Sequence, residues 1–126
     1  METIWCPLCG GDFEEAGGQV ACATCNYKAL PADPDINIGP SDAKSLLEKG
    51  NVQLIDVRTV YERMAGQIPG SVLIPINELR EKIGEVEKPK IIITYCQHGI
   101  RSFHAAQFLR QHGFRAFSLK GGIERW

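Results

Sequence analysis

The stretch Ile91-Ile92-Ile93-Thr94-Tyr95-Cys96-Gln97-His98-Gly99-Ile100-Arg101-Ser102, IIITYCQHGIRS, carries the strongest fold signal in the chain. Ile91 to Tyr95 is the most apolar strand pattern present and reads as a central strand buried on both faces. From Ser102 to His112 the pattern turns helical, with Ala105, Ala106, Phe108 and Leu109 on the inward side and His104 and His112 expected to face solvent. Cys96 therefore stands where a strand ends and a helix begins. In an open α/β sheet that is where ligands bind. A ring of loop amides with the helix dipole behind it would stabilise a thiolate there, Gly99 would let the loop curl, and Arg101 would add a fixed positive charge. The bland alternative, a small buried hydrophobe, explains neither Gly99 nor Arg101.

Working outward, short apolar runs alternate with helical patterns, the signature of an α/β domain with a largely parallel sheet. Ser41 reads as the N-cap of a helix from Asp42 to Lys49, with Ala43, Leu46 and Leu47 inward and Gly50 closing it. A strand follows at Val52 to Ile55, running into Asp56-Val57-Arg58. Thr59 and Glu62 form a capping box, opening a short helix that stops before Gly66. Val72 to Ile74 reads as a strand, Asn77 as the cap of a helix to Ile83, and Ala116 to Leu119 as the last strand before Gly121-Gly122.

Cysteines organise the other end. Cys6-Pro7-Leu8-Cys9 and Cys22-Ala23-Thr24-Cys25 are two C-x2-C pairs separated by twelve residues, the spacing of a tetrahedral four-thiolate zinc site. Gly10 and Asn26 suit the two knuckles, with a hairpin turn near Gly17-Gly18. One structural zinc ion would supply most of this segment's folding free energy. Disulfides would require an oxidising compartment, and a redox C-x-x-C would open a helix in a larger unit, which neither pair does. The expected organisation is a zinc ribbon over residues 1–30, a linker rich in proline and aspartate over 31–36, and an α/β domain over 37–126.

Composition sets outer limits. With 44% hydrophobic and 23% charged residues the chain is that of a soluble globular protein, and no stretch approaches the roughly 18 apolar residues of a membrane span. The beginning METIWCPLCG lacks the basic and apolar regions of a secretory signal, so the expected location is cytoplasmic. Residues 1–35 hold six acids against Lys28 alone, a net −5, and the remainder carries +4. An acidic ribbon argues against nucleic acid as its partner and leaves a folding staple or a protein docking site.

From about Asn37 to Trp126 the chain resembles a single-domain rhodanese. The resemblance rests on Leu54-Ile55-Asp56-Val57-Arg58, on Glu62 with Gly66-Gln67-Ile68-Pro69-Gly70-Ser71, on the loop Cys96 to Arg101, and on Gly113-Phe114 with Leu119-Lys120-Gly121-Gly122-Ile123 and Trp126. It implies a central parallel five-stranded sheet flanked by helices and a thiosulfate sulfurtransferase chemistry in which Cys96 carries sulfane sulfur as a persulfide. Gln97, His98, Gly99, Ile100 and Arg101 would then contact a small anionic donor. A thiol or cyanide would be the acceptor, and Asp56, Arg58 and Glu62 would form a supporting charged network. Four residues separate Cys96 from Arg101. The related phosphatases and arsenate reductases have one more, so the shorter cradle suits a single sulfur atom. The ribbon is not part of the core family pattern and raises a competing expectation: a non-catalytic or sulfur-relay module that docks a protein partner through the ribbon.

Overall fold

In the computed structural model, which describes residues 6, 8, 9, 11, 13–16, 19–23, 25, 27, 28 and 34–126, Ile91–Tyr95 occupies the middle of a parallel sheet. The elements in chain order are β1 (Phe13–Ala16), β2 (Gln19–Cys22), β3 (Asn37–Ile38), α1 (Pro40–Lys49), β4 (Val52–Asp56), α2 (Val60–Met64), β5 (Val72–Leu73), β6 (Ile91–Tyr95), α3 (Ile100–Gln111) and β7 (Arg115–Leu119), with 3-10 turns at Pro34–Ile36, Ile76–Glu78, Ile83–Glu85 and Ile123–Arg125. The large sheet has the order β3-β7-β6-β4-β5, every pairing parallel, and β1 and β2 form a separate antiparallel pair. The largely parallel sheet expected from the alternating pattern is therefore present, with the five strands that the resemblance implies.

Period-two alternation explains why β6 is apolar on both sides. Ile92 packs into one core layer with Ile55, Ala105, Phe108, Leu109 and Ala116, whereas Ile93 and Tyr95 pack into the other with Ala43, Leu54 and Leu119. The first layer is covered by α3, the second by α1 and the terminal turn that carries Trp126.

Several local expectations are corrected by the structure. α1 begins two residues earlier than Ser41 implies: Pro40 is its first residue and Gly39 its N-cap, without a side-chain cap bond. Proline is suited there because its missing N–H would have had no helical partner. The helix expected from Asn77 to Ile83 is instead two 3-10 turns. The Leu79 and Val86 N–H groups bond three residues back, to the Ile76 and Ile83 carbonyls, rather than four. Buried Gln53 of β4 donates to the Glu85 carbonyl and accepts from the Glu87 N–H, which ties the end of the segment to the sheet. The Gly17-Gly18 turn, the Gly10 and Asn26 knuckles and residues 31–33 of the expected linker lie outside the described residues.

His104 departs most from its expected place on the solvent side. It faces the N-terminal segment, where its Nδ1 lies 2.9 Å from the Tyr27 hydroxyl, and burial lowers its pKa. Tyr27 is fully buried and meets Phe108 edge to face, while the Lys28 carbonyl accepts from both Gln107 and Gln111 of α3. Cys6, Leu8, Cys22 and Tyr27 belong to the same buried cluster as Ala105 and Phe108. The cysteine-bearing segment is thus an outer wall of α3. Deleting residues 1–30 should uncover Phe108, accelerate amide exchange along α3 and lower Tm by roughly 5–15 °C. Unchanged exchange in α3 would show that the segment merely rests on the helix.

Candidate functional site

Cys96 follows β6 directly and its side chain is only 1% exposed. Its Sγ accepts from the Gly99 N–H at 3.1 Å and the Ser102 N–H at 3.3 Å, and lies 3.5 Å from the Ser102 hydroxyl. Two amides reach one sulfur because Gly99 takes φ +104°, turning the loop back on itself as α3 starts. The opposite wall is equally tight. A Cβ on Gly122 would come within 2.3 Å of the Gln97 carbonyl, and the Ile123 N–H donates to the Cys96 carbonyl at 2.9 Å. Gly121-Gly122 is therefore the surface on which the loop backbone lies.

Sequence reasoning missed the hydroxyls beneath the sulfur. Ser102 is fully buried, its Oγ lies 2.7 Å from the Ser118 Oγ of β7, and its carbonyl accepts from Thr94. Only the position of Ser102 next to Arg101, in the first turn of a helix, pointed towards it. Ser118 comes from another strand.

Arg101 is engaged more fully than its sequence position implies. Both its terminal nitrogens donate to Glu62, each at 2.7 Å, so the guanidinium bridges α3 to α2. That pairing, aided by the Thr59 N–H of the capping box, holds the Glu62 carboxyl at a pKa of about 2. Asp56 is fully buried and takes three bonds from Arg58, two from its guanidinium and one from its backbone N–H, with one from Arg63 and one from the Tyr95 hydroxyl. Arg63 was not among the expected site residues. Arg58 reaches onward to the Gly66 carbonyl and to Gln97, whose amide contacts Glu124. His98, 66% exposed, finds in Glu124 a carboxylate partner at 3.1 Å. Ile100 projects into solvent. Arg58, Glu62, Ala65, Gly66, Gln97 and Ile123 line a cleft of about 360 Å³ beside the loop.

A rhodanese-like domain profile matches residues 39–126. The chain belongs to the rhodanese family. Among its curated relatives, a sulfurtransferase of Allochromatium vinosum is 33% identical over 67% of this chain and 79% of that protein. The human thiosulfate:glutathione sulfurtransferase is 33% identical over 68% of this chain and 87% of its own. A rhodanese-related protein of Thermoplasma volcanium superposes with a TM-score of 0.67 at 37% identity, covering 71% of this chain and 88% of that one. Other relatives are longer: the chain spans 60% of one and about a third of two more.

Outside the rhodanese domain, the sulfurs of Cys6, Cys9, Cys22 and Cys25 all lie within 4.8 Å of one another. Cys6 and Cys25 are 3.7 Å apart and Cys9 and Cys22 3.4 Å, near the ~3.8 Å edge of a tetrahedron built on metal–sulfur bonds of about 2.3 Å. Leu8, Gly11 and Cys25 each donate a backbone N–H to one of these sulfurs at 3.4 Å. Burial pushes the Cys6 and Cys25 thiols above their ordinary value, so deprotonating this cluster calls for a cation. The four cysteines can hold one metal ion. No helix among the described residues is long and apolar enough to cross a membrane.

Two charge-related outcomes follow from the rhodanese-domain network. Glu62 is depressed from an ordinary 4.5 to about 2, so the pair's contribution is complete above 4.5 and is lost as pH falls towards 2. The urea midpoint should therefore fall more between pH 5 and pH 2 in the wild type than in Glu62→Gln. Parallel profiles would remove Glu62 as the cause. Asp56→Ala leaves Arg58, with a side chain 3% exposed, without its carboxylate, and should destabilise the domain by about 3–5 kcal/mol in urea unfolding.

Proposed function

We propose that this protein is a sulfurtransferase that moves sulfane sulfur through a persulfide on Cys96. The observation that carries the proposal is the Cys96 sulfur held by the Gly99 and Ser102 amides at the start of α3. In the first half-reaction the Cys96 thiolate attacks the outer sulfur of a donor such as thiosulfate. The bond between the donor's sulfurs breaks, sulfite leaves with the electron pair, and Cys96–S–S⁻ remains beneath the loop amides. In the second, a cellular thiolate or cyanide attacks that outer sulfur and Cys96 leaves as thiolate. Neither step changes the net number of electrons. Relatives named sulfurtransferase, one of them named for thiosulfate and glutathione, support this direction.

Roles for the surrounding residues follow. Gln97, His98, Gly99 and Ile100 form the loop surface that meets the donor, and Arg101 offers it whatever donor capacity Glu62 leaves free. Asp56, Arg58 and Glu62 hold the loop in place. We assign residues 1–30 to a ribbon in which Cys6, Cys9, Cys22 and Cys25 bind one structural zinc, residues 31–36 to a linker and 37–126 to the sulfurtransferase domain. Four-thiolate chemistry favours zinc. The ion's part would be to staple the segment that walls α3.

Intact-protein mass spectrometry after incubation with thiosulfate tests the chemistry, with the metal retained. A gain of about 32 Da on the wild type and none on Cys96→Ser is expected. An adduct of that mass on Cys96→Ser, or none on either protein with any sulfane donor, would refute it.

A further inference from the structure

Asp56, Thr94, Ser102 and Ser118 are polar side chains of the rhodanese domain with 0% exposure. Asp56 anchors the charged network, and the Thr94 hydroxyl bonds to the Ser102 and Phe117 carbonyls. Ser102 and Ser118 instead meet each other, Oγ to Oγ at 2.7 Å, and the Ser102 Oγ lies 3.5 Å from the Cys96 Sγ. Burying two hydroxyls costs desolvation that two alanines would not incur. Their place beneath the sulfur suggests what offsets it.

Cys96 Sγ, Ser102 Oγ and Ser118 Oγ form a short chain in which each hydroxyl has one proton to give. Two ordered states follow. With a neutral thiol, Cys96 donates to Ser102 and Ser102 to Ser118. With a thiolate, Ser118 donates to Ser102 and Ser102 to the sulfur, which then accepts a third bond besides those from the Gly99 and Ser102 amides. Bonds to an ionised acceptor are about twice as strong as neutral ones and polarise the next bond in the chain, so the thiolate state gains more from Ser118. Ser118 sits on β7 in register with Thr94 of β6, and Thr94 in turn holds the Ser102 carbonyl at 2.8 Å. The sheet therefore fixes both hydroxyls.

Resting on the sulfurtransferase reading, we propose that the Ser102 hydroxyl is a catalytic group of the acceptor half-reaction and that Ser118 is the positioning residue that turns its proton towards the sulfur. When the acceptor attacks the outer sulfur of Cys96–S–S⁻, the sulfur–sulfur bond breaks and its electron pair moves to the Cys96 Sγ. The Ser102 hydroxyl donates to the charge that develops there, and Ser118 donates to Ser102. Both hydroxyls reorient and neither loses its proton, so atoms, electrons and charge balance. In the persulfide the inner sulfur is neutral, so this bond strengthens only as the thiolate departs, which lowers the barrier.

Ser118→Ala, Ser102→Ala and the double variant, in the full chain, test the proposal. Cys96 is loaded with thiosulfate, the donor is removed, and loss of the sulfur to cyanide is followed by mass in a single turnover. The pH profile of Cys96 alkylation is measured on the sulfur-free proteins. The charged groups around the sulfur stay in all of them: Arg101 with Glu62, Arg58 with Asp56, and His98 with Glu124. Ser102→Ala is expected to slow persulfide discharge about tenfold and raise the alkylation midpoint by about one pH unit, and Ser118→Ala to give about threefold and about half a unit. The double variant should match Ser102→Ala, because Ser118 acts through Ser102. Ser118→Thr, which returns the hydroxyl, should return the wild-type profile and decides the matter if Ser102→Ala does not fold. Wild-type discharge and alkylation in Ser118→Ala, effects that add in the double variant, or a Ser118→Thr profile like that of Ser118→Ala would each overturn the proposal and leave the sulfurtransferase reading standing. Loading on none of the proteins would overturn both.

Discussion

Two backbone N–H groups converging on one sulfur are the constraint around which the rest of this domain is arranged. Gly99 and Ser102 can both donate to Cys96 only because β6 ends at Tyr95, the loop reverses at a left-handed glycine, and α3 starts at once. Each condition has its own support. β6 is held between β4 and β7 and buried on both faces, α3 is anchored by Ala105, Phe108 and Leu109, and Gly121-Gly122 supplies a backbone surface without side chains under the loop. Displacing any of these would separate the amides from the sulfur, since hydrogen bonds weaken steeply with misalignment.

Charge in this region serves position more than attraction. Asp56, itself fully buried, collects Arg58, Arg63 and the Tyr95 hydroxyl, and Arg58 extends the network to the Gly66 carbonyl and Gln97. Arg101 and Glu62 form a second bridge between α2 and α3. A buried carboxylate with several donors is rigid because losing any partner leaves an uncompensated charge in low dielectric. The side chains that would otherwise steer anions to the cleft are instead its frame.

The cysteine-rich segment belongs to the same mechanical unit. Tyr27 and Lys28 bond to His104, Gln107 and Gln111 along α3, and His104 stands two residues beyond the serine that holds the sulfur. A small segment with little core of its own gains stability by sharing the one beneath α3. For the helix, it covers the face that would otherwise expose Phe108.

The sequence by itself determined the elements whose signals are local or periodic. The apolar run at Ile91 to Tyr95, the Thr59–Glu62 capping box, the C-x2-C spacing and the Cys96-to-Arg101 loop each declare themselves within a few residues, because strand burial, capping and ligand spacing depend on near neighbours. What only the tertiary structure decided are pairings across the sheet order and between layers. Glu62 with Arg101, Ser102 with Ser118, Arg63 with Asp56 and His98 with Glu124 join groups brought together by folding, and no local pattern specifies which candidate meets which. The same holds where Gln53 ties Glu85 and Glu87 to β4 and where Tyr27 turns His104 away from solvent. Local propensity is worth tenths of a kilocalorie per residue, and a buried tertiary partner outweighs it.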